Sequence, residues 1–371
     1  MTCIWELKDW PHFTWNAEII QDNSYRYALA VNRLAREVQP LSDQERTNSM
    51  IDLMVAEAQK TSRIEGEIVD PEAVRSSILK QLGLAEEDRW QDPDARGIAH
   101  LVVQSRQEFA KPLTVEGLCS WHREFLGEKL RDAGRWRTEP VWIVSGVAGK
   151  EKVHFEGPPA FRVAGEMETF VEWFNASSSL PGPVRSGIAH VYFESIHPFS
   201  DGNGRMGRAI AEIALSQELG YPVLLSLSAA IDRQRKEYYR MLNQASRQSR
   251  MDITDWLEWW TQCVLNSQEQ AREQIAFVIR KAAFWRSCGN RVNDRQEKVL
   301  ARMLREGPEG FKGGMTARKY VALTGCSGPT ATRDLSYLTK IGALERLPAG
   351  GRSTRYDLRL PGLRTNRSVR F

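Results

Sequence analysis

The stretch SIHPFSDGNGRMGRAI, Ser195 to Ile210, constrains this chain more than any other. Upstream, Ile188, Val191, Tyr192 and Ile196 recur at three- and four-residue spacing, the period of one buried helix face. Pro198 and the Gly202-Asn203-Gly204 bend cannot continue that helix. The same apolar spacing resumes at Met206, Ile210, Ile213 and Ala214, so a second helix is predicted from about Arg205. The sequence therefore demands two helices joined by a short, glycine-rich, charged connection.

That connection concentrates unusual chemistry. A glycine bend at a helix N-terminus turns several backbone N–H groups toward one point, which suits a phosphate. Arg205 and Arg208, read as first-turn residues of the second helix, add charge-assisted bonds to phosphate oxygens. Asp201, at the rim of the bend, is placed to hold Mg²⁺ between phosphates. His197 can accept a proton near neutral pH. Together these are the parts of phosphoryl or nucleotidyl transfer. A metal-hydrolase reading through His190, Glu194, His197 and Asp201 leaves the glycines and arginines unexplained, and His190 and Glu194 read better as packing and salt-bridge residues.

The remaining pattern is mainly α. With 371 residues the chain is too long for one ordinary core. It has no apolar run of membrane-spanning length, and its opening MTCIWELKDWPHFTW has neither part of a signal peptide. Cys3, Cys119, Cys263, Cys288 and Cys326 are scattered and odd in number, which fits a reducing, cytoplasmic setting. Helical spacing predicts helices within residues 25–67 and 71–84. Two β-prone runs, Val141 to Val144 and Lys152 to Phe155, predict a hairpin closed by Pro158 and Pro159. From Asn290 onward, three short helices and two strands around Gly350-Gly351 predict a winged helix-turn-helix. This last part carries 17 Lys and Arg against 7 Asp and Glu, whereas the rest has 34 against 40. A basic module on an acidic body suggests an anionic partner. The expected domains are 1–88, 89–287 and 290–371.

The residues from His197 to Arg208 match H-x-F-x-[D/E]-G-N-G-R-x-x-R, and on that match the chain resembles the Fic family. The resemblance covers roughly residues 90–285 and implies a helical Fic core whose β-hairpin is a flap. It also implies transfer of AMP from ATP to a Ser, Thr or Tyr hydroxyl of a protein, with release of pyrophosphate. Carried over, it makes His197 the base and Asp201 the Mg²⁺ ligand. Gly202, Asn203 and Gly204 become the anion hole, Arg205 supports the phosphates, and Arg208 engages the γ-phosphate. Met206 and Gly207 fall within the same nucleotide-binding turn, Phe199 is a buried anchor, and Tyr238 and Tyr239 border the base. The intact glycine bend favours AMP transfer over the phosphate-donor chemistry of relatives with an altered, lysine-containing hole. The tryptophan-rich opening and helices of residues 1–84, within the N-terminal helical domain 1–88, resemble a domain often found ahead of bacterial Fic cores.

Two further segments carry expectations. TSRIEG, Thr61 to Gly66, matches the [S/T]-x-x-x-E-[G/N] of Fic inhibitory helices. Thr61 and Glu65 share a helix face, and a carboxylate brought against Arg208 would neutralise the cation meant for the γ-phosphate. Gly66 would end that helix. In the C-terminal module, Ser327 to Leu338 is the candidate recognition helix, with Thr330, Thr332 and Arg333 for DNA contacts and Arg352 and Arg355 flanking the wing. The leading reading is thus an autoinhibited protein adenylyltransferase. The competing one is a DNA-binding regulator whose Fic core senses nucleotide or modifies only itself. Expected partners are ATP, a protein substrate and duplex DNA, with no membrane; a homodimer is left open.

Overall fold

Apolar periodicity and local capping account for most of the helices in the computed structural model, which describes residues 2–127, 129–145, 152–307, 310–348 and 354–361. Chain order gives α1 (Ala17–Val38), α2 (Asp43–Ile64), α3 (Pro71–Gln81), α4 (Pro93–Gln107) and α5 (Val115–Leu126). Then come β1 (Trp142–Ser145), β2 (Lys152–Glu156), α6 (Val163–Ala176), α7 (Gly182–Ile196) and α8 (Asn203–Leu219). The series continues with α9 (Leu227–Arg233), α10 (Arg235–Ser246) and α11 (Thr254–Cys288). It ends with α12 (Asp294–Leu304), α13 (Ala317–Thr324), α14 (Gly328–Lys340), β3 (Leu344–Arg346) and β4 (Tyr356–Leu358). Asp70 and Asp92 cap α3 and α4 by accepting first-turn N–H bonds, each followed by a proline whose missing donor costs nothing there.

β1 and β2 pair antiparallel as predicted, Trp142 opposite Glu156 and Ser145 opposite Lys152. The intervening part of the flap lies outside the described residues. No helix among the described residues is long and apolar enough to cross a membrane.

The described chain divides into two compact units. One takes in the residues up to Glu37 and Met50–Ala271; the other takes Val38–Ser49 and the residues from Arg272 on. Ile51, Val55, Val74 and Ile78 of α2 and α3 belong to the same apolar cluster as Ile98, Phe170, Tyr192, Phe199 and Ile210. Half-buried Trp10 and Phe13, from the tryptophan-rich opening, pack against that cluster, with Trp10 edge-on to Tyr192 at 5.0 Å. At its centre α7 packs along α8, and every residue of α7 is buried. A helix apolar or shielded all round belongs to a core, and here it is the rigid floor of the α7–α8 connection.

The second unit has its own cluster, in which Val299, Met303, Tyr320, Leu335, Leu338 and Leu344 are buried together. β3 and β4 pair antiparallel, Leu344 opposite Leu358 and Arg346 opposite Tyr356. Arg352 and the terminal Arg364, Arg367 and Arg370 lie outside the described residues.

Candidate active site

α7 stops at Ile196 because His197 turns left-handed, φ 50° and ψ 61°, ahead of Pro198. Its N–H still reaches Phe193 O at 2.9 Å. α8 starts at Asn203, two residues earlier than predicted, because Gly202 takes φ 78° at the N-cap and its carbonyl already accepts from Met206 N–H. That shift changes the roles of the arginines. Arg205 is the third helical residue, whereas Arg208 belongs to the second turn, not the first. The N–H groups of Asn203, Gly204 and Arg205 are the donors that a helix start leaves without intrahelical partners.

The connection is rigid through side chains that fold back on it. Asn203 Oδ1 accepts from Phe199 N–H and its Nδ2 donates to Phe199 O, both at 2.9 Å. Its side chain therefore braces the loop and leaves only the backbone N–H for an anion. Phe199 is fully buried, as expected of an anchor. Met206 is buried in the core and its N–H is already spent on Gly202 O, so it offers nothing to a phosphate. Gly207 is required by packing, since a Cβ there would lie 2.9 Å from Glu194 Oε1 and 3.0 Å from His190 Nδ1.

Two residues that the sequence reading missed hold the loop from outside. Arg137 Nε donates to His197 O at 2.8 Å, and its terminal nitrogens donate to Glu139 O, Pro158 O and Ile196 O. His122 accepts from Gly134 N–H at Nδ1, which leaves the proton on Nε2 to be donated to Asp201 O at 3.0 Å. Its ring stacks on Phe199 at 3.8 Å, and burial lowers its pKa, so it stays a neutral brace. Neither residue sits in a recognisable local pattern, and their partners are backbone groups, one N–H and otherwise carbonyls, 12 to 79 positions away, or in one case two.

His197 is only 15% exposed, and its Nδ1 stands 3.6 Å from Glu194 Oε2. Burial alone would raise the Glu194 pKa, but His197, His190 and Arg208 outweigh it and hold the carboxyl below its ordinary value. Glu194 is therefore a buried anion set behind the imidazole. His190 has a different task. Burial pushes it down to about 4, its Nε2 meets Tyr238 Oη at 2.9 Å, and its ring stacks against both Trp256 and Trp260.

Asp201 has a side chain 62% exposed, with Oδ1 accepting from Gly202 N–H at 2.6 Å and lying 3.5 Å from an Arg205 nitrogen. Arg205 itself is buried, stacked over Phe125 at 4.8 Å and ion-paired to Glu67, a second partner not foreseen.

Arg208 is the most enclosed of the set, at 0% side-chain exposure. Its Nε donates to Thr61 Oγ1 at 2.8 Å, and one terminal nitrogen donates to Thr61 O at 3.1 Å and Glu65 Oε1 at 2.7 Å. Burial alone would lower its pKa, but the carboxylates of Glu65 and Glu194 outweigh it and raise the value further above neutrality. The contact is made within one chain. Glu65 also crowds the start of α8, because a Cβ on Gly204 would lie 2.3 Å from Glu65 Oε1. The carboxylate thus lies against the first turn of α8, where helix N-termini favour negative charge.

The end of α2 shows how firmly Glu65 is presented. A helix leaves its last four carbonyls unpaired. Here Thr61 O takes Arg208, Ser62 O takes the N–H of Glu65 and Glu67, Arg63 O takes Gly66 N–H, and Ile64 O takes Tyr239 Oη at 2.9 Å. Gly66, at φ 90°, supplies the left-handed turn expected of it. Both members of the tyrosine pair are thereby engaged, Tyr238 with His190 and Tyr239 with α2. α2 is fastened further along: Arg63 and Lys60 pair with Asp232, and Glu57 accepts from Ser226 Oγ, Ser228 N and Ser228 Oγ at the start of α9.

A helical floor, a glycine-capped helix start and buried arginines make a site able to receive an anion, with the Glu65 carboxylate seated against it. Residues 112–215 match the Fic/DOC family, and residues 3–84 match a domain of unknown function, DUF4172. Over residues 112–215 the chain is thus similar to Fic family proteins. It is 30% identical over 137 residues to a protein adenylyltransferase of Caenorhabditis elegans, a match covering 36% of this chain and 24% of that protein. A probable protein adenylyltransferase of Aquifex aeolicus is 33% identical over 91 residues, covering 24% of this chain and 26% of the other. The chain thus spans only about a quarter of the length of these two curated relatives. The crystal structure of a Fic family protein from Desulfovibrio desulfuricans superposes with a TM-score of 0.55 at 21% identity, over 93% of this chain and 97% of that one. A C. elegans Fic-1 fragment superposes at 0.52 and 18% identity, over 72% and 76%.

Proposed function

We propose that this chain is an autoinhibited protein adenylyltransferase. The acceptor hydroxyl oxygen attacks the α-phosphorus of ATP, the bond to the bridging β-phosphate oxygen breaks, and pyrophosphate leaves. His197 takes the hydroxyl proton on the ring nitrogen remote from Glu194, whose carboxylate favours the imidazolium that forms. The free N–H groups at the start of α8 receive phosphate oxygens, and Arg208 receives the γ-phosphate once Glu65 withdraws. Asp201 fits Mg²⁺: it is one exposed carboxylate with an oxygen to spare, and Mg²⁺ commonly takes its other ligands from water and substrate phosphates. The metal would supply charge neutralisation at the leaving pyrophosphate.

The observation that carries the reading is the position of Glu65, bonded to Arg208 and crowded against Gly204. A carboxylate there takes both the cation and the space that a terminal phosphate needs. The test is incubation with ATP labelled at the α-phosphate and Mg²⁺. Glu65→Gly is expected to label protein at least about tenfold faster than the parent chain, a gain equivalent to one charged hydrogen bond. Glu65→Gly with His197→Ala should be silent. Equal labelling by the parent and Glu65→Gly would sink the brake, and labelling that survives loss of His197 would sink the mechanism.

A further inference from the structure

The second unit has no part in that chemistry, yet its charges are sorted. From Lys312 to Leu344 the cations are Lys312, Arg318, Lys319, Arg333 and Lys340, and the sole carboxylate is Asp334. Asp334 is turned inward on α14. It accepts from Arg295 Nε at 2.8 Å, Gln296 Nε2 at 3.0 Å and Tyr320 Oη at 2.9 Å, so it docks α14 onto both α12 and α13. The remaining face of α14 exposes Thr332, Arg333, Ser336, Tyr337 and Lys340, with no acidic group among them. Among the described residues neither Arg318 nor Arg333 has an ion-pair partner.

We infer that this face of α14 is a binding site for duplex DNA. The order α12, α13, tight turn, α14 and hairpin is that of a winged helix-turn-helix, whose second turn-linked helix enters the major groove. Thirteen residues make α14 roughly 20 Å long, and the groove is about 12 Å wide, enough to admit it. Its N-terminus is set by Ser327, which accepts from Thr330 N–H, and a helix start of this kind suits a backbone phosphate.

The structure also redistributes the expected contacts. Thr330 pairs its hydroxyl with Ser327 at 2.9 Å, and Thr332 donates to Gly328 O at 3.1 Å, so neither hydroxyl is idle. Arg333 is left as the residue able to grip a guanine edge with two donors, with Arg318 and Lys340 for phosphates. Arg355 is already engaged, and its carbonyl accepts from Leu347 N–H. A protein-binding face would centre on exposed aromatic or aliphatic anchors. Tyr337 is the only large exposed apolar residue among the described residues of this unit, and its hydroxyl is committed to Arg291 O.

This inference uses no residue of the nucleotide site and stands apart from the adenylyl-transfer reading. The full-length chain is used to select from a random-sequence duplex pool, and the winner is titrated by fluorescence anisotropy at several salt concentrations. Enrichment of a defined sequence is expected. Arg333→Ala should weaken its binding by about tenfold or more, as loss of a bidentate base contact does. Lys298→Ala removes the same charge from exposed α12 and should change binding much less. The proposal is overturned if no sequence is enriched, if heparin competes as well as the selected duplex, or if the two variants lose affinity equally.

Discussion

At the scale of single residues, the site depends on a histidine held in a conformation that it does not favour. A non-glycine residue in the left-handed region costs roughly 1–2 kcal/mol, and His197 is kept there by the bond from Arg137 to its carbonyl. Arg137 is buried among carbonyl oxygens, and burial lowers its pKa. In the Glu65→Gly background, Arg137→Ala should therefore reduce turnover by about 10- to 100-fold, the scale of a misplaced catalytic group, while KM for ATP moves little. Arg137→Lys should not restore it, because an ammonium lacks the planar fork that spans these carbonyls. An unchanged turnover would show that the bend holds itself. The contrast with Arg208 explains what a reader of sequence can see. Arg208 stands at a fixed interval from glycines that announce a phosphate site, and Glu65 at a fixed interval from Thr61. Arg137, His122 and Glu67 act through partners that only the fold brings near, so their letters carry no local signal.

At the scale of elements, most helices were legible because period and caps agree, and the misreadings lie at ends, where one left-handed residue moves a boundary. The pairing of α2 with α8 was only half legible. Glu57, Thr61 and Glu65 recur every four residues and form one stripe; Arg208 and Glu212 form another. Thr61 and Glu65 meet Arg208, while Glu57 caps α9 and Glu212 takes Leu227 N–H and buried Arg106. Burial first, and then the charge of Glu57, push the Glu212 carboxyl up to about 8. The sign follows from proton counting. Between its ordinary 4.5 and about 8 the folded chain holds a proton that the unfolded chain releases, so stability falls as pH rises through that window. Thermal melts from pH 5 to pH 8 should show a declining Tm, and Glu212→Gln should flatten part of the decline. If the variant and the parent chain decline in parallel, the buried carboxyl is not the source.

At the scale of the whole molecule, two apolar clusters on two compact units imply that heat capacity resolves two transitions rather than one. The residues of the proposed nucleotide site all lie within the first unit, so on that proposal Mg²⁺ and ATP should move one transition and leave the other in place. The size of the movement reports on Glu65. In the parent chain the Glu65 carboxylate already occupies Arg208, and on the proposed reading ATP must displace it. In Glu65→Gly the buried guanidinium keeps Thr61 but loses its anion, which should cost the free protein about 1–3 kcal/mol. A ligand present at a hundred times its Kd then adds about 2.7 kcal/mol. Glu65→Gly should therefore start below the parent Tm without nucleotide and gain more from Mg²⁺ and ATP than the parent does. Scanning calorimetry of both proteins, with and without nucleotide, checks this. Equal gains in the two proteins would mean that Glu65 and the γ-phosphate do not compete for Arg208, whatever the labelling rates; a shift of both transitions would mean that the units do not unfold separately.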